Sequence, residues 1–286
     1  MFKKIFHDTF QMVSSGFIYK ILSKVMNVLN TCVPIPKNFT IAIGKNKYTA
    51  KTFDRVMALF FWKHGMLESY ETENIKNMIS EDMVVLDIGA NIGYYTLIFS
   101  DLVGNGGVVY AFEPDPDNYM TLTENVKANH CNNVVALSKA VAQKNGSVTL
   151  YRNEGNRGDH SIHDYTGDKK NTVIVDCVSL DSYFSQGTKV HFVKMDIQGA
   201  EPEAFEGMKR ILKENTDIML LTELMPANYA DTGKGAQDFL KMLDHEYGFI
   251  VYYVDGTRKK LVRLNEDEIQ KKCFGGKSIN VVLKRN

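Results

Sequence analysis

Apolar residues recur along this chain first at helical and then at strand spacing, and the change divides it into three parts. Over residues 2–29, Phe2, Ile5, Phe6, Phe10, Val13, Phe17, Ile21, Val25, Val28 and Leu29 fall at helical intervals, with Pro34 and Pro36 beyond them. One or two amphipathic helices are expected in a segment 1–36. Residues 37–80 read as a lead-in or cap: a strand-like FTIAI, an aromatic cluster at Phe60, Phe61 and Trp62, and a helix from Thr72 to Ile79. From 81 to 286 short apolar runs alternate with helical patterns. Strands are predicted at 84–89, 108–113, 134–141, 147–151, 173–178, 191–196, 218–223, 249–254 and 279–284. Helices are predicted from the turn after 89 to about Leu102, from Asp117 to Asn129, from Glu201 to Leu212 and from Gly235 to Glu246. This alternation predicts an α/β domain with a doubly wound, largely parallel sheet covered on both faces. No long helix separates the last two strands, so the sheet is expected to end in an antiparallel C-terminal edge strand. The stretch 152–172, RNEGNRGDHSIHDYTGDKKNT, interrupts the alternation as a long loop rich in turn formers, which in a compact domain is usually functional or mobile.

Composition adds exclusions. With 44% apolar and 24% charged residues the chain is an ordinary globular one, and its 34 Lys and Arg balance 34 Asp and Glu. Nucleic-acid binding normally requires a basic surplus, so the balance speaks against it. The balance is uneven along the chain. Residues 1–30 carry four bases and one acid, residues 31–254 carry 21 and 29, and residues 255–286 carry nine and four. An acidic central domain is therefore flanked by basic ends that would suit an anionic membrane or an acidic glycan. For segment 1–30 the alternatives are peripheral contact with an anionic membrane, packing on the domain, and cover over a substrate cleft. Cys32, Cys131, Cys177 and Cys273 are far apart, without metal spacing, and are expected to be free thiols. No run of about 18 apolar residues is present, Lys20 and Lys24 interrupt any signal-peptide core, and a cytoplasmic location is the expectation.

The chemistry concentrates at strand ends. Asp87, Ile88, Gly89, Ala90, Asn91, Ile92 and Gly93 follow one apolar strand and precede a helix. Glycines there permit a tight turn and the close approach of a ligand, but the spacing GxNxG differs from the GxGxxG that holds a pyrophosphate. An acid two residues before the first glycine suits a ligand bearing an ammonium instead, and S-adenosylmethionine carries one, with no phosphate. Glu113 ends the next strand, before Pro114, where an acid can accept both hydroxyls of a ribose. Lys194 and Asp196 end a third strand and share a face, and Gly199 lets the chain turn. An ion pair that fixes the turn is one reading of them; the other is a carboxylate beside the transferred methyl, able to orient or deprotonate a hydroxyl. Glu223 ends a later strand and is a candidate for the same cluster. His160, in the long loop, is the one candidate neutral base there. Asp196 and Glu223 suit a hard cation, but no spacing demands a metal.

The segments LDIGANIGYYT (86–96), FEPDP (112–116), VSLDSYF (178–184), VKMDIQGAEPEAFEG (193–207) and LLTEL (220–224) resemble the FkbM-type family of S-adenosylmethionine-dependent methyltransferases, from about Tyr70 to Glu223. That resemblance implies a class I, Rossmann-like sheet of seven strands and, usually, O-methylation of a sugar or natural-product hydroxyl. It implies cofactor contacts from Asp87, Gly89, Asn91, Gly93, Thr96, Glu113, Pro114, Ala140 and Asp196, and from Glu71 in a Tyr-Glu entry segment. It also suggests that Asn156, Gly158, His160, Ser161 and His163 belong to a loop over the active site. Where the family commonly reads IEGAE, this chain has Gln198 and so lacks one carboxylate. The expected function is methyl transfer from S-adenosylmethionine to a hydroxyl of a sugar, glycolipid or related small molecule, with Asp196, Lys194, Glu223 and His160 as catalytic candidates. Two rivals remain: a nucleic-acid methyltransferase, which would usually carry a DPPY- or NPPY-like quartet where this chain has MDIQ, and a non-catalytic cofactor-binding module.

Overall fold

The computed structural model describes residues 38–43, 45–51, 69–153, 158–165, 171–232 and 236–285. The helical segment expected at 1–36, the aromatic cluster 60–62 and Asn156 lie outside the described residues. The chain divides between Phe39 and Thr40, and all that follows except Asn38 and Phe39 belongs to the unit from Thr40 onward.

Strands β1 (Asn38–Ile43) and β2 (Asn46–Lys51) form a two-stranded ribbon. Helix α1 (Ser69–Met78) leads into the main sheet, whose first strand is β3 (Val84–Ile88). Val85 to Ile88 are all buried, as a strand covered on both faces requires. Helix α2 (Tyr94–Val103), β4 (Val108–Phe112), α3 (Pro116–Ala128) and β5 (Val134–Leu137) complete one half of the sheet. Asp115 caps α3 with one carboxylate oxygen, which accepts the amides of Asp117 and Asn118 at 3.0 Å each, and Pro116 takes the first position, where no amide is needed. Asp115 is thus built into the start of the helix behind Glu113.

The run expected as one strand over 134–141 is two. The Lys139 amide bonds the Leu137 carbonyl at 2.9 Å, a three-residue turn that swings the chain out of the main sheet. Beyond it β6 (Ala140–Val141), β7 (Gly146–Tyr151) and β8 (Thr172–Val178) form a separate sheet ordered β6-β8-β7. The short helix α4 (Leu180–Tyr183) returns the chain to β9 (Phe192–Met195), which pairs parallel with β3. Helices α5 (Glu201–Glu206) and α6 (Lys209–Glu214) replace the single helix expected there and lead to β10 (Met219–Leu224).

The last part holds a 3₁₀ segment (Pro226–Thr232), α7 (Ala236–Lys241) continued by a π-helical turn (Met242–Glu246), β11 (Ile250–Asp255), β12 (Lys260–Leu264), α8 (Glu266–Lys272) and β13 (Ile279–Lys284). The main sheet has eight strands in the order β12-β11-β13-β10-β9-β3-β4-β5. This is the class I doubly wound arrangement, with two corrections to the sequence expectation. The antiparallel C-terminal strand is interior, inserted between β10 and β11, and the edge belongs to an eighth strand, β12, that the charged stretch after Asp255 had concealed. Burial explains both: Val281, Val282 and Leu283 have no exposure and need cover on both faces, whereas β12 carries Lys260 and Arg263 to solvent and tolerates an edge. Phe205, Phe239 and Tyr229 meet edge to face at 5.2 Å beneath the sheet, anchoring the helices that flank β9 and β10.

Candidate functional site

From β3 the chain proceeds to β4 on one side, while β9 pairs with β3 on the other, so the connections diverge between β3 and β9. Ligands of open α/β sheets bind at such a reversal, beyond the carboxyl ends of the strands. A cavity of about 180 Å³ lies there, between the loop after β3, the ends of β4 and β9, Ala140 of the small sheet and the loop around His160.

The loop after β3 is held by backbone contacts. The amides of Gly89 and Ala90 both reach the Phe112 carbonyl at 3.0 Å. Gly89 has φ +77°, and a Cβ there would overlap the carbonyl oxygen of Asp196, so β3 and β9 approach this closely only because residue 89 is glycine. Asn91 lies at φ +51°, and its amide donates to Oε2 of Glu113 at 2.8 Å. The Asp115 amide donates to Oε1 at 2.9 Å. Each carboxylate oxygen of Glu113 therefore receives one backbone amide, Asn118 adds a side-chain hydrogen bond, and the carboxylate lines the cavity. Burial pushes the carboxyl of Glu113 up to about 7, against the pull of the two amides.

Asp87 lies beneath the loop, fully buried, and does not line the cavity. Thr96 Oγ1 donates to its Oδ2 at 2.6 Å, and its Oδ1 has no hydrogen-bond partner within the protein. Desolvation raises the pKa of Asp87, while Lys194, its register neighbour on β9, and Thr96 oppose the shift. Gly93 sits one layer deeper as the residue before α2 and packs on Leu122, and Thr96 serves Asp87 rather than the cavity wall. Pro114 and Ala140 line the cavity. Glu71 is on α1, and its side chain lies outside the described residues. Its neighbour Thr72 meets the hydroxyl of Tyr94, a cavity residue, at 3.4 Å, which brings that end of α1 to the site.

At the end of β9 the structure joins three of the four catalytic candidates. Lys194 Nζ is 3.4 Å from Asp196 Oδ2, Gln198 Nε2 donates to Asp196 Oδ1 at 2.8 Å, and the same nitrogen reaches Glu223 Oε2 at 3.2 Å. Gln198, the departure from the family pattern, is thus an amide bridge between two carboxylates, where a third carboxylate would repel both. The Asp196 side chain is 42% exposed, whereas that of Lys194 is 9% exposed, with its ammonium 5.2 Å from the centre of the Tyr95 ring. Asp196 is the accessible acid and Lys194 its buried counter-charge.

His160 lines the cavity beside Asp115. Its Nδ1 accepts the Asn153 amide at 3.1 Å, which assigns the proton of the neutral ring to Nε2, 3.8 Å from Asp115 Oδ2. The nitrogen a base would use is thereby engaged. Arg152, absent from the sequence expectation, places Nε 2.6 Å from that Asp115 oxygen. Residues 161–163 dock on the β9–α5 turn and α5: Ser161 Oγ donates to the Gln198 carbonyl at 2.9 Å, and His163 Nε2 lies 2.8 Å from Glu203. The Tyr165 hydroxyl meets the Asn228 carbonyl at 3.2 Å and fills the space that a Cβ on Gly199 would need.

Glu201 was present in the quoted motif but carried no expectation. It has no exposure, accepts the Ile197 amide at 3.3 Å through one oxygen, leaves the other without a partner, and is pushed by burial up to about 8. Its invisible feature is burial, since an acid in the first turn of a helix reads as ordinary N-terminal charge. Cys131, Cys177 and Cys273 are free, and Cys32 lies outside the described residues. Among the described residues no group of three or more His, Cys, Asp or Glu side chains is arranged for a metal, and no helix is long and apolar enough to cross a membrane.

These features define a Rossmann-like α/β domain with one cavity at the carboxyl ends of its central strands, lined by the buried acid Glu113 and the accessible carboxylate of Asp196. A family model described as the methyltransferase FkbM domain matches residues 87–251, more than half of the chain, and the chain belongs to that family. Among curated proteins it is similar to the hexuronic acid methyltransferase AglP of Haloferax volcanii, 29% identical over 136 residues that cover 46% of this chain and 53% of that protein. It is also similar to the tRNA(Phe) (4-demethylwyosine(37)-C(7)) aminocarboxypropyltransferase of Methanocaldococcus jannaschii, 35% identical over 81 residues, or 28% of this chain and 31% of that one. The match thus spans about half the length of the first relative and under a third of the second. Two of the similar solved structures are the FkbM methyltransferase of Methylobacillus flagellatus KT and SMU.1697c of Streptococcus mutans, the latter in complex with SAH. The first is 16% identical with TM-score 0.44, covering 78% of this chain and 46% of that one. The second is 14% identical with TM-score 0.44, covering 76% and 96%. The family's methyl donor is S-adenosylmethionine, and the residues present fit it: Glu113, its carboxylate oriented by two amides, lines the cavity at the end of β4, and the glycine at 89 leaves the backbone of the loop after β3 open to it.

Proposed function

We propose that this chain transfers the methyl of S-adenosylmethionine to a hydroxyl oxygen of a sugar, glycolipid or related small molecule. The observation that carries the reading is that one cavity is lined by both Glu113, a ribose acceptor by its position at the end of β4, and Asp196, an accessible carboxylate. The cofactor supplies an electrophilic methyl on a sulfonium. Glu113 would hold the ribose, Asn91 and Asp115 fixing its carboxylate plane through their amides. Asp196 would receive the hydroxyl proton of the acceptor on one carboxylate oxygen. Lys194 and Gln198 hold that carboxylate in place, and Glu223 holds Gln198. His160, its Nδ1 engaged by Asn153, would border the cofactor rather than act as base.

A sugar acceptor is supported by the relative named as a hexuronic acid methyltransferase. The relative named for a tRNA keeps the nucleic-acid reading in view, but residues 31–254 carry 21 bases against 29 acids, a poor match to phosphates. The test is Asp196→Asn, assayed with a panel of uronic acids, neutral glycosides and glycolipids. Cofactor affinity by calorimetry should stay within about threefold, while turnover should drop about 10²–10⁴-fold. An Asp196→Asn chain that turns over at the wild-type rate would remove the base from this site.

A further inference from the structure

Phe274 is 83% exposed, the most exposed large apolar side chain among the described residues. It is not on a loose loop. Ile269 and Cys273 of the preceding turn are buried, Cys273 Sγ lies 4.0 Å from the Leu224 carbonyl on β10, and the Lys277 amide closes the turn on the Cys273 carbonyl at 3.2 Å. An unconstrained ring would fold onto nearby apolar surface; this one is held outward by anchors on either side.

Its surround is basic by arrangement. Helix α8 carries Glu266, Asp267 and Glu268 in its first turn and Lys271 and Lys272 in its last, so the end that bears Phe274 is the cationic one, and Lys277 follows. Arg258 and Lys259 are exposed in the turn between β11 and β12, and Lys260 is exposed at the start of β12. The two groups meet, since Arg258, Lys271 and Lys272 line one open cavity of about 280 Å³. Of the acids in that cavity, Asp255 accepts the amides of Thr257 and Arg258 at 3.1 and 2.9 Å and lies 3.8 Å from Arg258 Nε, and Glu268 accepts the amide of Asn265 at 2.9 Å, so Lys271 and Lys277 carry the cationic surround.

We propose that this face, residues 255–277, docks on an anionic lipid bilayer, with Phe274 in the interfacial layer and Lys271 and Lys277 above lipid phosphates. An exposed apolar ring just past the cationic end of a helix matches the layered chemistry of a bilayer, phosphate outside and hydrocarbon within. The proposal is independent of the acceptor and of any contact through residues 1–30.

The test is sedimentation of the full chain with vesicles of equal parts phosphatidylcholine and phosphatidylserine at low salt, beside pure phosphatidylcholine. Binding is expected only to the anionic vesicles. Phe274→Ser should weaken it about tenfold or more, and the pair Lys271→Glu with Lys277→Glu by more than tenfold, each lysine near such a surface being worth about fivefold. Both variants should keep the wild-type thermal midpoint and cofactor affinity. No binding by the wild type, or equal binding by wild type and both variants, overturns the proposal. Dependence on the lysines without dependence on Phe274 overturns the insertion. Binding to single-stranded RNA that depends on Phe274, with none to vesicles, assigns the face to nucleic acid instead.

Discussion

With Glu113 at the ribose as proposed, its carboxyl should couple cofactor affinity to pH in a way that Glu113→Gln isolates. Burial holds its pKa near 7 in the ligand-free chain, well above the ordinary 4.5. Ribose hydroxyls donate to the ionised form, so only that fraction of the protein is competent. At pH 8 about nine-tenths is ionised and at pH 6 about one-tenth, so apparent affinity should weaken about tenfold between them. The carboxamide cannot titrate, and it loses a charged hydrogen bond worth about 1.5–3 kcal/mol, so the variant should bind roughly 10- to 100-fold more weakly at pH 8 and carry none of this dependence. Calorimetry with S-adenosylhomocysteine on both chains is the assay, since the ligand's own titration is common to the two. Stability runs in the opposite sense. A folded pKa raised above the unfolded one means that the folded state binds more protons, so stability is fullest below pH 4.5 and declines as pH rises to about 7. The shift amounts to about 3 kcal/mol, which the variant should not lose over that window. Equal wild-type affinity at pH 6 and 8, or an identical pH dependence in Glu113→Gln, would refute the reasoning.

Glu201 has its own window, from 4.5 to about 8, with the same sign. The wild-type thermal midpoint should fall between pH 6 and 8.5, and Glu201→Gln should flatten that fall; equal slopes in differential scanning calorimetry would mean that Glu201 is not protonated in the fold. Gly89→Ala forces a side chain into a positive-φ position and against the Asp196 carbonyl. It should cost about 3 kcal/mol, roughly 6–12 °C in Tm for a domain of this size, and abolish cofactor binding. A stable variant that still binds would show that β3 and β9 can part without loss.

Much of the site was legible because its chemistry sits at strand ends. An apolar run such as VVLDIG announces a buried strand, its last residues must emerge at the carboxyl edge, and Glu113, Lys194 and Asp196 are therefore placed by local pattern alone, whereas Asp87 lies one layer below the cavity. The same logic failed for the partners of His160, which lines the cavity but meets Asn153 and Asp115 only when the small sheet packs beside β4. It failed for Gln198 as well, since the substitution gains meaning only from Glu223, 25 residues away, which it bridges to Asp196.

By itself the sequence determined the α/β class, the Gly-rich turn after β3 and which acids stand at the ends of which strands, because these follow from periodicity within a few residues. Only the tertiary structure decided where β13 lies, that β6 leaves the sheet of β5, that β12 forms the edge, and that Glu201 is buried without a partner for one oxygen. An apolar strand such as INVVL encodes that both its faces must be covered, but not by which neighbours. Strand order and the burial of a single carboxyl are set by contacts between residues distant in the chain, whose loop-closure cost is met only once the whole sheet assembles.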